Sequence, residues 1–379
     1  MLIERDFCTG CEACANICHK NAIKMKYFHD GFFYPEVDQS LCVNCGLCAK
    51  VCPINSCTPS IYPKEAFAIK HKDEVIRQSS SSGGAFSAIA SKIIAGNGVC
   101  FGAAIDDTFS VVHTECCTLD ELHSLSGSKY SQSKVGHTLR EAKKLLERGK
   151  TVLFSGTPCQ IAGLKSYLGK DYENLITVDF ICHGVPSSSL LRKYLDFMQS
   201  SANSKICNVS FRDKTYGWKN FSMKIGYSNQ PPVISTVGND KYLRAFLLNL
   251  FLRPSCYNCK FKDHNYQSDL TLADFWSIDK VLPQLNDDKG ISLVIVNTPK
   301  GQMLLNSVHS QIDVYQVPFD EAVSVNPSYK KSCRKTLLNK KALKDSVKLD
   351  FNKVYNKYCK KTLPQQVLRK LAREFCKFK

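Results

Sequence analysis

"CTGCEACANICH" (8–19) returns, altered, as "CVNCGLCAKVCP" (42–53). Each stretch spaces four cysteines as C-x2-C-x2-C-x3-C: Cys8, Cys11, Cys14 and Cys18, then Cys42, Cys45, Cys48 and Cys52. Thiols at this density do not serve a hydrophobic core. They are soft ligands, suited to soft or borderline metals. Zinc ribbons show separated C-x2-C pairs, whereas here a run of four is repeated. The two runs differ in one respect: His19 stands where the second has Pro53.

The spacing is that of two-cluster bacterial ferredoxins, where three neighbouring thiolates hold one iron–sulfur cube and the fourth reaches the other cube. That crossing assigns Cys8, Cys11, Cys14 and Cys52 to one [4Fe–4S] cluster, and Cys42, Cys45, Cys48 and Cys18 to a second. Between the runs, "AIKMKYFHDGFFYPEVD" (22–38) alternates in polarity and reads as a hairpin turning at Asp30-Gly31.

The whole chain, at 379 residues, is too long for one ordinary domain. Twenty cysteines without a basic start and apolar run at the N-terminus argue against a secreted disulfide scaffold. No uninterrupted apolar stretch is long enough to span a bilayer; "YLRAFLLNLFL" (242–252) is short and contains Arg244. The expected location is a reducing cytoplasm. Charge is concentrated at one end: residues 329–379 hold 17 Lys and Arg against 3 Asp and Glu, and the rest hold 34 against 31. Such a tail suits an anionic membrane surface, here the inner face, or an acidic electron carrier, or it is a solvated extension. No nucleic-acid recognition motif accompanies the charge, which argues against nucleic acid.

Four segments are expected: a two-cluster module over 1–56, a Pro-containing linker over 57–64, a larger domain over 65–328, and a basic, partly helical tail over 329–379 broken at Pro364. From Glu65 onward strands alternate with helices. "EAFAIK", "VCFGAAI", "FSVVHTE", "TVLFSG" and "NLITVDFIC" read as strands; "GGAFSAIASKIIAG", "VGHTLREAKKLLERG", "CQIAGLKSYLG" and "HGVPSSSLLRKYLDFM" read as helices or a turn and helix. Residues 205–235 suit a β-meander, 240–252 a helix, and 291–309 a final strand and helix. The fold class is α+β or α/β: a small ferredoxin-like module before a larger α/β domain with its sheet covered on both faces.

Four further cysteines stand out. Cys159 opens a helix, Cys182 ends a strand, and Cys256-x2-Cys259 is a pair. On spacing alone the pair is a zinc half-site or two surface thiols, and the other two are buried thiols or ligands. Cys57, Cys100, Cys116, Cys117, Cys207, Cys333, Cys359 and Cys376 read as plain thiols.

Five segments in order, "SSSGGAF" (80–86), "SGSKY" (126–130), "GTPCQIAGL" (156–164), "FICHGVPS" (180–187) and "CYNCKFKDHNYQSDLTLADFW" (256–276), together resemble the beta subunits of coenzyme F420-reducing hydrogenases and formate dehydrogenases. The resemblance runs from about Glu65 to about residue 325. It implies FAD in the central domain and a third [4Fe–4S] cluster on Cys159, Cys182, Cys256 and Cys259. It also implies a flavin site lined by Ser82, Gly83, Gly84, Ser126, Gly127, Ser128, Lys129 and Tyr130. Residue chemistry agrees: Gly83 and Gly84 precede a helix whose free N–H groups suit a diphosphate, and Lys129 adds positive charge. Taken alone, the serine–glycine run is a flexible loop and Lys129 a solvated lysine. His183 is a proton donor or a hydrogen-bonding neighbour of Cys182; Asp274 is a helix cap without a functional role.

The resemblance implies an iron–sulfur flavin oxidoreductase acting on a small-molecule substrate. Its electron carrier would be ferredoxin, a deazaflavin or a nicotinamide. Relatives of this build occur in surface-polysaccharide settings. The competing expectation is an electron-transfer subunit of a larger complex.

Overall fold

In a computed structural model, residues 2–55, 64–324 and 326–360 are described. The linker expected over 57–64 lies outside them except for Lys64, as do Cys57, Cys376 and the tail beyond residue 360 with Pro364.

The alternating stretch after the first cysteine run forms a hairpin of β1 (Ile23–Tyr27) and β2 (Phe33–Val37). Its turn uses Gly31 at a φ of 82°, a left-handed conformation open to glycine at no steric cost. Phe32 and Tyr34 are buried in the largest core cluster, with Leu190, Tyr194 and Tyr242 of the following domain. The N-terminal module and the main body therefore share one core.

The main body is built on an eight-stranded sheet. Its strands are β3 (Glu65–His71), β4 (Val99–Ile105), β5 (Val111–Cys116), β6 (Val152–Ser155), β7 (Leu175–Phe180), β11 (Leu270–Asp274), β12 (Ser292–Val296) and β13 (Ile312–Val317), in the order β13-β3-β12-β11-β7-β6-β4-β5. The centre, β4-β6-β7-β11, is parallel, and both flanks are antiparallel. Side chains alternate between the faces. Phe67, Ile69, Val294 and Val296 meet the helices Ala85–Ala95 and Pro299–Ser307 on one side, while Ala66, Ala68, Leu293 and Ile295 pack under Trp218, Phe275 and Tyr329 on the other. Both faces are covered, as the parallel strands at the centre demand.

A separate antiparallel meander, β8 (Ile206–Asp213), β9 (Ser222–Tyr227) and β10 (Val233–Thr236), lies where the sequence suggested one. The helix expected over 240–252 is shorter, Lys241–Leu247, capped by Asp240. Two strands differ from expectation. β11 enters the middle of the sheet, although "LTLAD" has too few apolar residues to read as a central strand. β13 follows the helix that was to be the last element, and forms the sheet edge.

Part of the basic segment is folded against the body. Helices Asn339–Lys348 and Phe351–Tyr358 pack on the helix Ser188–Ala202, with Phe351 against Tyr194 at 5.1 Å between ring centroids. No helix among the described residues is long and apolar enough to cross a membrane.

Candidate functional site

The two cysteine runs trace one backbone path twice. Gly10 and its counterpart Asn44 both have positive φ, as do Glu12 and its counterpart Gly46. Their surroundings differ. Cys8 and Cys11 are buried and Cys14 is half-buried. The Cys11 thiol is pushed up to about 12, first by burial, with Cys8 and Cys52 adding to it. Cys14 is raised by burial and then by Cys11, Cys8 and Cys52; Cys52 is raised by burial and by Cys8. Cys8, Cys11, Cys14 and Cys52 are thus electrostatic neighbours. Buried thiols that repel one another as anions become thiolates only when positive charge balances them. The second set is nearer the surface: Cys45 is exposed, and Cys18, Cys42 and Cys48 are half-buried. The Cys18 Sγ accepts from the Ala22 N–H at 3.3 Å.

A second group of thiols meets in the main body. Cys159 lies at the start of the helix Pro158–Leu168, whose Thr157 and Gln160 form a capping box. Cys182 follows the carboxyl end of β7. Cys256 sits in the short turn Pro254–Asn258, with Cys259 next to it. Gly184 makes the approach of these segments feasible: a Cβ there would meet Leu252 at 2.8 Å and Cys256 at 3.4 Å. The Arg253 N–H then donates to the Val185 carbonyl at 2.9 Å. Cys159 is raised well above a normal thiol by burial, then by Cys259, Cys182 and Cys256. Burial brings Cys256 to about 12 and Cys182 to about 11, each with its neighbouring thiols contributing. Among the described residues, no three His, Cys, Asp or Glu side chains converge tightly enough to hold a single metal ion.

Beside these thiols opens a cavity of about 510 Å³, within the usual size of a small-molecule or cofactor site. Ser82, Gly84, Ser126, Gly127, Ser128, Lys129 and Tyr130 line it, together with Cys159, Cys182 and His183. Gly84 caps the helix Ala85–Ala95 at a φ of 88°, so the positive end of that helix faces the cavity. Lys129 is held by the Ser124 and Ser126 carbonyls, both at 2.8 Å. Burial lowers its ammonium to about 7, with no carboxylate counteracting the shift. A helix N-terminus and a lysine short of a counter-charge form a donor set that fits an anionic group such as a diphosphate.

Residues 149–321 match the family described as the C-terminal part of the coenzyme F420 hydrogenase/dehydrogenase beta subunit, and residues 7–56 match a 4Fe–4S dicluster domain. The two matches together set an iron–sulfur module before a stretch similar to this beta subunit. Cys159, Cys182, Cys256 and Cys259 fall within the matched stretch; Ser82–Gly84 and Ser126–Tyr130 precede it. No curated protein matches the chain. Among solved structures, a chain of the xenon-derivatised F420-reducing [NiFe] hydrogenase complex from Methanosarcina barkeri is similar at 15% identity, with a TM-score of 0.46, over 79% of this chain and 91% of that one.

Some side chains have roles other than those expected. Gly83 does not line the cavity. It lies where the chain crosses the sheet, and a Cβ would strike the Ile69 carbonyl at 2.2 Å; its N–H donates to Ser292 at 2.9 Å. Asp274 caps no helix. It ends β11 and accepts two hydrogen bonds at 2.9 Å from Arg212, plus one from the Trp218 indole at 2.8 Å. Arg212, between Phe221 and Trp276, also donates to the Tyr130 hydroxyl at 3.1 Å. Neither Arg212 nor Trp276 carried a recognisable spacing. His183 lines the cavity beside Asn249 and Ser328, and burial lowers its pKa. Cys333, read as a plain thiol, donates to the His183 carbonyl at 2.8 Å. Its charge would act on Cys182, and nothing in "KSCRK" signals that closeness.

The two thiol groups are linked. Ile54, Ala162 and Phe261 form an apolar cluster against which Cys52, Cys159 and Cys259 all pack. Gly163, in the helix that Cys159 opens, comes so close to Cys11 that a Cβ would lie 2.9 Å from its sulfur.

Proposed function

We propose that this chain is an iron–sulfur flavoprotein oxidoreductase. It would hold three [4Fe–4S] clusters, on Cys8/Cys11/Cys14/Cys52, on Cys42/Cys45/Cys48/Cys18 and on Cys159/Cys182/Cys256/Cys259, and FAD in the cavity. The observation that carries this reading is the meeting of four thiols from three distant segments against a cavity lined by the helix end at Gly84 and by Lys129. When bound, flavin exchanges hydride or single electrons and the clusters exchange single electrons, so the set converts one kind of transfer into the other.

The protein's own groups supply the rest. Lys129 and the N-terminus of the helix Ala85–Ala95 would bind the diphosphate. Tyr130, stacked on Phe246 at 4.8 Å between ring centroids, forms an aromatic wall. His113 is fixed by Ser133 at 2.6 Å and the Ser155 carbonyl at 3.0 Å; burial lowers its pKa to about 4, so it adds no charge to the cavity at neutral pH. The Ile54–Ala162–Phe261 cluster keeps water from between the inner and central thiols.

The substrate is a small molecule and the carrier a ferredoxin, deazaflavin or nicotinamide. The surface-polysaccharide setting rests on the resemblance alone. The basic segment offers a membrane or protein contact. A second reading, an electron-transfer subunit feeding a separate catalytic protein, is favoured by the likeness of residues 149–321 to a beta subunit.

Replacing Cys256 and Cys259 together by Ser tests the central site. About a third of the iron should be lost, since each of three clusters carries the same number of iron atoms; unchanged iron would overturn the assignment. Binding of FAD to flavin-free protein should also weaken as pH rises through about 7, where Lys129 loses its proton. Titration by fluorescence quenching should show that slope in the native chain and not in Lys129→Gln.

A further inference from the structure

Arg253 is fully buried, three residues before Cys256 in the sequence. Its Nε donates to the Cys8 carbonyl at 2.6 Å, Nη1 to Gln132 at 2.8 Å and Nη2 to the Phe33 carbonyl at 3.2 Å. The same Nη2 lies 3.6 Å from the Cys8 sulfur. The guanidinium also covers the Tyr34 ring, 4.3 Å from its centroid. None of these partners is a carboxylate. An arginine stays charged at any ordinary pH, and a buried charge without a counter-charge is strongly unfavourable. Of the groups the guanidinium contacts, the Cys8 thiol is the one assigned as a cluster ligand; the buried Glu12 carboxylate also feels its charge but is engaged by the Val135 and Gly136 N–H groups. Cys8 touches the guanidinium on the N-terminal side, and Cys256 feels its charge on the other.

Resting on the cluster assignment above, we infer that Arg253 is a positioning residue shared by two iron–sulfur sites. Its guanidinium supplies the counter-charge for the inner N-terminal cluster, and more weakly for the central one. It thereby keeps their reduction potentials from falling to the low values that burial imposes. Net charge, hydrogen bonds to sulfur and solvent exposure set such potentials. Burial disfavours the extra negative charge of the reduced state, and a cation at the sulfur opposes that effect. The outer site, with Cys45 in solvent, has water for this purpose. Arg253 also joins the two sites mechanically, because its side chain grips the Cys8 loop while its own carbonyl accepts from the Cys256 N–H at 2.9 Å.

The test is an EPR-monitored redox titration of full-length protein purified without oxygen. Cys11→Ser and Cys45→Ser identify the inner and outer signals. In Arg253→Gln the inner midpoint should move to a more negative potential, the central one by less, and the outer one not at all. Full iron content with all midpoints unmoved would overturn the inference. Should Arg253→Gln fail to retain the inner cluster, Arg253→Lys decides, since it keeps the charge and loses the fork. An inner midpoint close to native supports the role of charge, and one that falls shows that packing sets the potential and contradicts it. Native protein lacking iron would instead defeat the cluster assignment itself, a separate outcome.

Discussion

The inner and outer cysteine runs share spacing and backbone yet differ in everything around them. In the first, Glu12 takes the left-handed position and its carboxylate accepts from the Val135 and Gly136 N–H groups at 2.8 and 3.1 Å, fastening the module to the body. In the second, Gly46 holds that position and a Cβ would meet nothing within 4 Å. Gly10 presses on Gln132 and Arg253, whereas its counterpart Asn44 is exposed. Leu41, Val43 and Leu47 around the outer run are exposed too. A repeated ligand motif thus specifies the loop, and the residues between the ligands decide whether that loop is an interface or a surface.

The sharpest way to break this comparison is to remove one thiol from each run. Cys11→Ser and Cys45→Ser should each lose about a third of the iron. Only Cys11→Ser should also lower the melting temperature of the whole chain, since its loop forms the contact with Gly163. Equal melting shifts would remove the distinction between the two loops.

Exchanging the spacers probes packing without touching a ligand. Gly10→Asn keeps a residue tolerant of positive φ but drives a side chain into atoms 2.4 Å and 2.9 Å from its Cβ, and should destabilise by about 1–3 kcal/mol. Asn44→Gly should change stability by less than about 0.5 kcal/mol. Denaturant titration of both variants checks the contrast.

A smaller effect is expected at the short helix inside each run. Arg140 donates to the Asn16, Ala15 and Cys18 carbonyls at 2.7, 3.0 and 3.2 Å, closing the end of the helix Ala13–Ile17. Arg140→Ala should destabilise by about 1–2 kcal/mol. Lys50→Ala, in the exposed last turn of Leu47–Lys50, should be within about 0.5 kcal/mol of native in the same assay.

Much of this arrangement was legible in the chain. The ferredoxin spacing, the hairpin at Asp30-Gly31 and the strand–helix alternation after Glu65 are local patterns, and local patterns can be read from sequence. What escaped depends on contacts between distant residues. β11 is central because β7 and β12 flank it, although its own residues alternate weakly. Asp274 faces Arg212, far away in the chain, so its position before "FW" suggested a cap. Gly83 is a glycine for the sake of Ile69 and Ser292, not for a ligand. Cys333 and Arg253 come near the thiols through tertiary packing that no spacing announces.

The most direct measurement is the metal and flavin content of the native chain purified without oxygen. About twelve iron atoms with matching acid-labile sulfide, four per cluster, and one FAD per chain are expected. Zinc in place of iron, or a colourless protein without flavin, would contradict the account.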